Sequence, residues 1–216
     1  DESNPAHTEA ARYALSVIGA RMLFVSLGDP PAGRIAGEST AYYGPTALAN
    51  NRAAIEAMKC ADIVIDLMGM YRGAEQEEIL AAGTRILLVK EPPEVLMRMG
   101  PQASDRDRVK AAEVIMSKAK VMTVQSAAGT NFSAEFGAYP CLVQYGFADE
   151  PGRWDHAPSA FIARWPNENS AQGVIVLDSG DTILPFKSYV QSPITLEIQD
   201  GFVKSIHGAG LDAKYL

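Results

Sequence analysis

The sequence predicts an α/β fold: a doubly wound, mainly parallel sheet, followed by a β-rich segment that begins a second α+β domain. Three features carry that expectation. Up to Gln125, apolar runs of strand length alternate with amphipathic stretches of helix length, the order that builds parallel sheets covered by helices. After Gln125 the punctuation changes, and short runs follow one another between Gly and Pro. Asp200–Gly201, between ITLEIQ and FVKSIH, is a two-residue hairpin signal. The expected division is a Rossmann-like domain over 1–125 and the β-rich part of a second domain over 126–216.

The elements follow in order. Thr8–Gly19 places Ala11, Leu15 and Ile18 on one helical face after Asn4–Pro5. Arg21–Leu27 (RMLFVSL) is a near-continuous apolar run and predicts a buried parallel strand. A Gly/Pro-rich loop over Gly28–Gly44 leads to a helix over Pro45–Lys59, with proline in the first turn. Asp62–Leu67 is a second strand, Glu75–Ala82 a helix stopped by Gly83, and Arg85–Val89 a third strand. Glu94–Met99 and Asp105–Lys118 are helical, and Lys120–Gln125 is the fourth strand. The β-rich half offers strands at Asn131–Phe136, Pro140–Tyr145, Phe161–Trp165, Gly173–Leu177, Thr182–Phe186, Ile194–Gln199 and Phe202–His207. DESNPAHTEAARYA opens without methionine or a preceding strand, and LDAKYL reads as the start of a helix. The expectation is of a piece trimmed at both ends, its first strand missing.

Composition excludes several functions. Of 216 residues, 47% are apolar and 21% charged, the balance of a soluble globular protein. A net charge of −7 argues against nucleic-acid binding, which needs clustered Lys and Arg. No apolar run approaches the about 18 residues of a membrane span, and no signal peptide is evident. Cys60 and Cys141 lack metal-type spacing and are expected as buried free thiols in a reducing, cytoplasmic setting. His7, His156 and His207 form no ligand motif, so no metal site is expected from them. GxGxxG, P-loop and GxSxG patterns are absent. Glu77–Glu78 and Asp149–Glu150 read as solvated faces.

Two places could carry chemistry. Asp66–Gly73 (DLMGMYRG) follows a strand, where parallel sheets bind ligands, and Arg72 could hold an anion there. Ala148–Ser170 gathers Arg153, Trp154, Asp155 and His156 between Pro151–Gly152 and Pro158, with Trp165 nearby. An imidazole in a rigid loop can give or take a proton near neutral pH. The competing readings are an exposed arginine, ordinary loop charges and a satisfied core histidine.

Particular stretches carry a resemblance. TAYYGPTAL, DIVIDL with AEQEEIL, GTRILLVKEPPEVL, YGFADEPGRWDHAPSAF, WPNENSAQG and ITLEIQDGFVKSIHG resemble the 2,5-dihydroxypyridine 5,6-dioxygenases along essentially the whole chain. GTNFSAEFG and ENSAQGVIVLD are also similar to the metallo-aminopeptidase T group. The resemblance implies a mononuclear non-haem Fe(II), held by two histidines and a carboxylate, that opens a dihydroxylated pyridine ring with O2 to give N-formylmaleamate. It implies that His156 is the acid/base residue, and that the iron ligands follow Leu216, leaving this chain without them. A second acid/base histidine of the family falls on Arg72, which cannot act as a base but can hold a carboxylate. A substrate with an extra anionic group is therefore expected. Tyr71, Trp154 and Phe161 are expected to line the pocket. Phe161 stands where the peptidase pattern has a metal-binding glutamate, which weighs against a two-metal hydrolase. An aminopeptidase or a non-catalytic oligomerisation domain is the alternative. The implied partners are a small aromatic N-heterocycle, O2 and further copies of the chain.

Overall fold

The structure, a computed structural model, describes residues 5–28, 46–70, 73–183 and 188–216. The helices are α1 (Pro5–Val17), α2 (Arg52–Lys59), α3 (Ala74–Ala81), α4 (Pro93–Arg98), α5 (Ala103–Lys118) and α6 (Asp212–Tyr215). The strands are β1 (Ile63–Asp66), β2 (Arg85–Val89), β3 (Val121–Gln125), β4 (Asn131–Glu135), β5 (Cys141–Gln144) and β6 (Trp154–Ala157). They continue with β7 (Phe161–Arg164), β8 (Gln172–Leu177), β9 (Thr182–Ile183), β10 (Ser188–Tyr189), β11 (Ile194–Gln199) and β12 (Phe202–His207). The architecture is mixed α/β, with one parallel sheet and separate antiparallel sheets. Two compact units emerge: Asp1–Val109 with Gln144–Phe161, and Lys110–Val143 with Ile162–Leu216.

The first unit is built on a three-stranded parallel sheet in the order β1-β2-β6. β1 and β2 read as apolar runs because helices cover them. Leu48, Ala54, Ile55 and Met58 from α2 and the turn before it pack with Met70, Ile79 of α3 and Ile86 of β2. Full burial of each large side chain contributes roughly 1.5–3 kcal/mol. Asn51 caps α2 by accepting from the Ala54 amide at 3.2 Å. The helix is therefore shorter than the expected Pro45–Lys59, because Asn50 takes φ 61° one residue before the cap.

Two strand assignments need correction. Arg21–Leu27 forms no strand: Met22, Leu23 and Phe24 are exposed, and only Val25 and Leu27 pack against the core. An apolar run specifies an extended segment but not a hydrogen-bonded neighbour. Lys120–Gln125 does form β3, yet it pairs antiparallel with β4 rather than joining the parallel sheet. The third parallel strand is β6, whose sequence WDHA reads as loop because half its residues are polar. Cys60 is exposed rather than buried.

The second unit is a five-stranded antiparallel sheet, β12-β11-β8-β4-β3. Asp200 (φ 51°) and Gly201 (φ 79°) make the hairpin turn, since only residues tolerant of positive φ fit both central positions. The register slips between Glu197 and Ile198, a bulge just before the turn. Ile183, Val190 and Ile194 form the core here, with Leu177, Leu196 and Ile206 packed around them. Gly173 of β8 has φ 118°, and a Cβ there would lie 2.2 Å from the Asn131 carbonyl oxygen, so β4 and β8 approach too closely for any side chain.

Candidate functional site

The carboxyl edge of the parallel sheet gathers the ionisable groups of the first unit. Asp66 ends β1, Lys90 and Glu91 directly follow β2, and His156 lies near the end of β6. The register pairs Asp66 with Leu88 and Leu88 with His156. Residues in register across a sheet share a face, so Asp66 and His156 project to the same side. Trp154, two residues before His156, shares that face and packs with the Ile86 core.

Asp66 shapes the loop after β1. Its carboxylate accepts from the backbone N–H groups of Met68 (2.8 Å), Gly69 (3.0 Å) and Met70 (2.7 Å). Burial pushes its pKa up, against the pull of those three donors. The Gln76 amide donates to the Met70 carbonyl at 2.5 Å and ties the loop to α3. Gly69 has φ 82°, and a Cβ there would stand 3.2 Å from Lys90 Nζ, so the absent side chain leaves the lysine its place.

The His156 side chain is 15% exposed, and its Nε2 lies 3.8 Å from Glu91 Oε1. Nε2 is buried and has no hydrogen-bond partner among the described residues. Burial lowers the imidazole pKa below its ordinary value. The carboxylates of Glu91 and Asp155 oppose that shift, and Lys90 adds to it. The ring is therefore neutral at pH 7, with a nitrogen able to accept a proton and a carboxylate beside it to stabilise the imidazolium. Buried His7 donates from Nε2 to the Glu91 backbone carbonyl at 2.6 Å and anchors α1 to this segment.

Behind His156 lies a second network. Asp155 is fully buried and receives Arg153 Nη2 at 2.6 Å. The Arg153 guanidinium lies over the Tyr145 ring at 3.7 Å. Tyr145 donates its hydroxyl to Asp149 at 3.0 Å, and Arg106 donates to the same carboxylate at 3.0 Å. Asp149 is held below the usual carboxylate range by Arg106 and Tyr145, against the opposing effect of burial.

Of the residues singled out from sequence, His156 and Trp154 share a strand and a face. Phe161 opens β7 and is exposed. Tyr71 and Arg72 lie outside the described residues. His207 is exposed on β12 beside Ser205 and Glu197. Lys90 and Glu91 are not singled out from sequence, Asp66 and Asp155 are named there only as members of their stretches, and His7 only as one of three histidines without a ligand motif. A carboxylate ending DIVIDL and a Lys–Glu pair ending RILLV were the available signals. A cavity of about 460 Å³, lined by Lys59, Asp62, Thr84 and Arg85, opens at the opposite, amino-terminal edge of β1 and β2, away from His156.

Among the described residues, no group of three or more His, Cys, Asp or Glu could hold a metal ion. These residues therefore do not by themselves fit an iron site. None of the described helices is long and apolar enough to cross a membrane.

The first unit is thus an α/β domain with a buried imidazole at the carboxyl edge of its parallel sheet, the edge where such folds bind ligands. A family model described as NicX, 2,5-dihydroxypyridine 5,6-dioxygenase, matches residues 1–216. The curated 2,5-dihydroxypyridine 5,6-dioxygenase of Pseudomonas putida KT2440 is 50% identical over 217 residues, covering 99% of this chain. The solved structure of 2,5-dihydroxypyridine dioxygenase from that organism superposes with a TM-score of 0.92 at 50% identity, covering 98% of this chain and 61% of the other. The chain belongs to the 2,5-dihydroxypyridine 5,6-dioxygenase family. It spans 61% of the length of the curated relative.

Proposed function

We propose that this chain carries the proton-transfer part of a ring-cleaving dioxygenase. Its substrate is 2,5-dihydroxypyridine or a related hydroxylated N-heteroaromatic, and its product N-formylmaleamate or an analogue. N-formylmaleamic acid has the atoms of dihydroxypyridine plus both atoms of O2, so the reaction needs no external reductant. The observation that carries this reading is His156: neutral, with an unpartnered Nε2 at the carboxyl edge, in a chain of this family.

His156 takes the proton of a ring hydroxyl as substrate binds, and Glu91, 3.8 Å away, stabilises the resulting cation. The same imidazolium returns the proton during ring opening. Trp154 and Phe161 belong to the substrate-binding set in this reading, together with Tyr71 and with Arg72, whose part is to hold an anionic substituent. Fe(II) belongs to the same reading, with ligands outside the described residues and O2 activation as its contribution. The doubly wound arrangement follows from the alternation of strand and helix patterns, a cytoplasmic location from the two cysteines, and homo-oligomeric assembly from the resemblance.

The test is oxygen uptake with 2,5-dihydroxypyridine by the Fe(II)-loaded enzyme carrying this sequence, with product identified by mass. His156→Ala should lower kcat by about 10²- to 10⁴-fold. Wild-type turnover by that variant removes His156 from the chemistry.

A further inference from the structure

We infer that Asp155, clamped by Arg153, is the positioning residue for His156. The inference rests on the proton-transfer role given to His156 above. β6 pairs with β2 along one edge only, and no described strand pairs with its other edge. Open strand edges leave backbone groups that need partners. Here a side chain serves instead of a strand. Asp155 Oδ1 accepts from the N–H groups of Gly146 at 2.9 Å, Tyr145 at 3.1 Å and His156 itself at 2.8 Å. Oδ2 accepts from Arg153 Nη2 at 2.6 Å and Nε at 3.1 Å, and lies 3.2 Å from the Tyr145 nitrogen. The backbone of His156 is therefore fixed on one side by β2 and on the other by this carboxylate.

The clamp is itself held. Arg153 Nε also donates to the Phe147 carbonyl at 3.0 Å, and its guanidinium plane rests on Tyr145. Gly146 has φ 83°, and a Cβ there would come within 2.4 Å of Pro101 Cβ, so residue 146 reaches Asp155 only as glycine. Tyr145, Gly146 and Arg153 of the 145–155 turn thus converge on one buried carboxylate that also holds the His156 N–H. A displacement of about 1 Å in a reacting group costs on the order of 100-fold in rate, so a device that fixes the His156 backbone acts on turnover directly.

Asp155→Asn keeps the shape and one acceptor oxygen but sets an amide NH2 against Arg153. In the Fe(II)-loaded enzyme, kcat should fall by about ten- to a hundredfold while KM changes less than about twofold. The ring signals of His156, one of three histidines in the chain, should move in the NMR spectrum while those of His7 and His207 stay put. Where Asp155→Asn does not fold, Arg153→Lys poses the same question, because it keeps the charge and loses the fork; the same kcat loss and His156 shift are expected. Wild-type kcat with unmoved His156 signals in a folded variant overturns the positioning role. If His156→Ala is severely impaired in that same assay, only the positioning inference falls; if His156→Ala turns over normally, the proton-transfer reading falls first.

Discussion

Asp66 and His156 stand in one row of the parallel sheet, on either side of Leu88. Both project to the face that buries Ile86 and Trp154, and both lie where the strands run out. Asp66 spends its carboxylate on three backbone N–H groups, whereas His156 keeps Nε2 uncommitted. One residue of the row therefore spends its side chain on a loop, and the other keeps a ring nitrogen open.

The buried imidazole makes stability depend on pH. Its folded pKa lies below 6.5, so as pH falls the unfolded chain takes the proton first. Stability is complete above the ordinary histidine value and is lost as pH drops from there toward the folded pKa. Urea unfolding at a series of pH values should show this loss, and His156→Gln should remove its share.

Glu91 raises the His156 pKa from beside Nε2. Glu91→Gln should lower that pKa further and weaken stabilisation of the imidazolium. The acidic limb of kcat/KM should move to lower pH, and kcat should fall. NMR titration of the His156 ring in the variant checks the first effect independently.

Asp66→Ala leaves the amides of Met68, Gly69 and Met70 without their acceptor. A loss of roughly 1–3 kcal/mol in stability is expected. The loop leads into Tyr71 and Arg72, so KM should rise more than kcat falls. Denaturation and steady-state kinetics on the same preparation separate the two.

Gly173→Ala forces a methyl group into the Asn131 carbonyl at a backbone angle that L-residues avoid. Destabilisation of about 3 kcal/mol or more is expected, from overpacking and strain together. The measurement is the urea midpoint.

The sequence was readable wherever one local rule governed. DIVIDL and RILLV became β1 and β2, and Asp200–Gly201 became the hairpin turn, because short apolar runs and positive φ leave plain marks. WDHA was unreadable as a strand: its carboxylate is buried only because Arg153 and the amides of Tyr145 and Gly146 reach it from the turn, beside the amide of His156. RMLFVSL misled for the converse reason, being apolar without a strand partner. His156 was visible as an unusual residue in an unusual stretch. Its neighbour Glu91 and that residue's anchor His7 were not, since the fold brings Glu91 to His156 across 65 positions of sequence and His7 to Glu91 across 84.

The most direct test of the proton-transfer assignment compares two titrations of the Fe(II)-loaded enzyme carrying this sequence. One is the pKa of the His156 ring by NMR; the other is the acidic limb of kcat/KM for 2,5-dihydroxypyridine. The two should coincide below the ordinary histidine value of 6.5, and the limb should vanish in His156→Gln along with most of the turnover. A limb that persists unchanged in His156→Gln, at wild-type rate, contradicts the assignment.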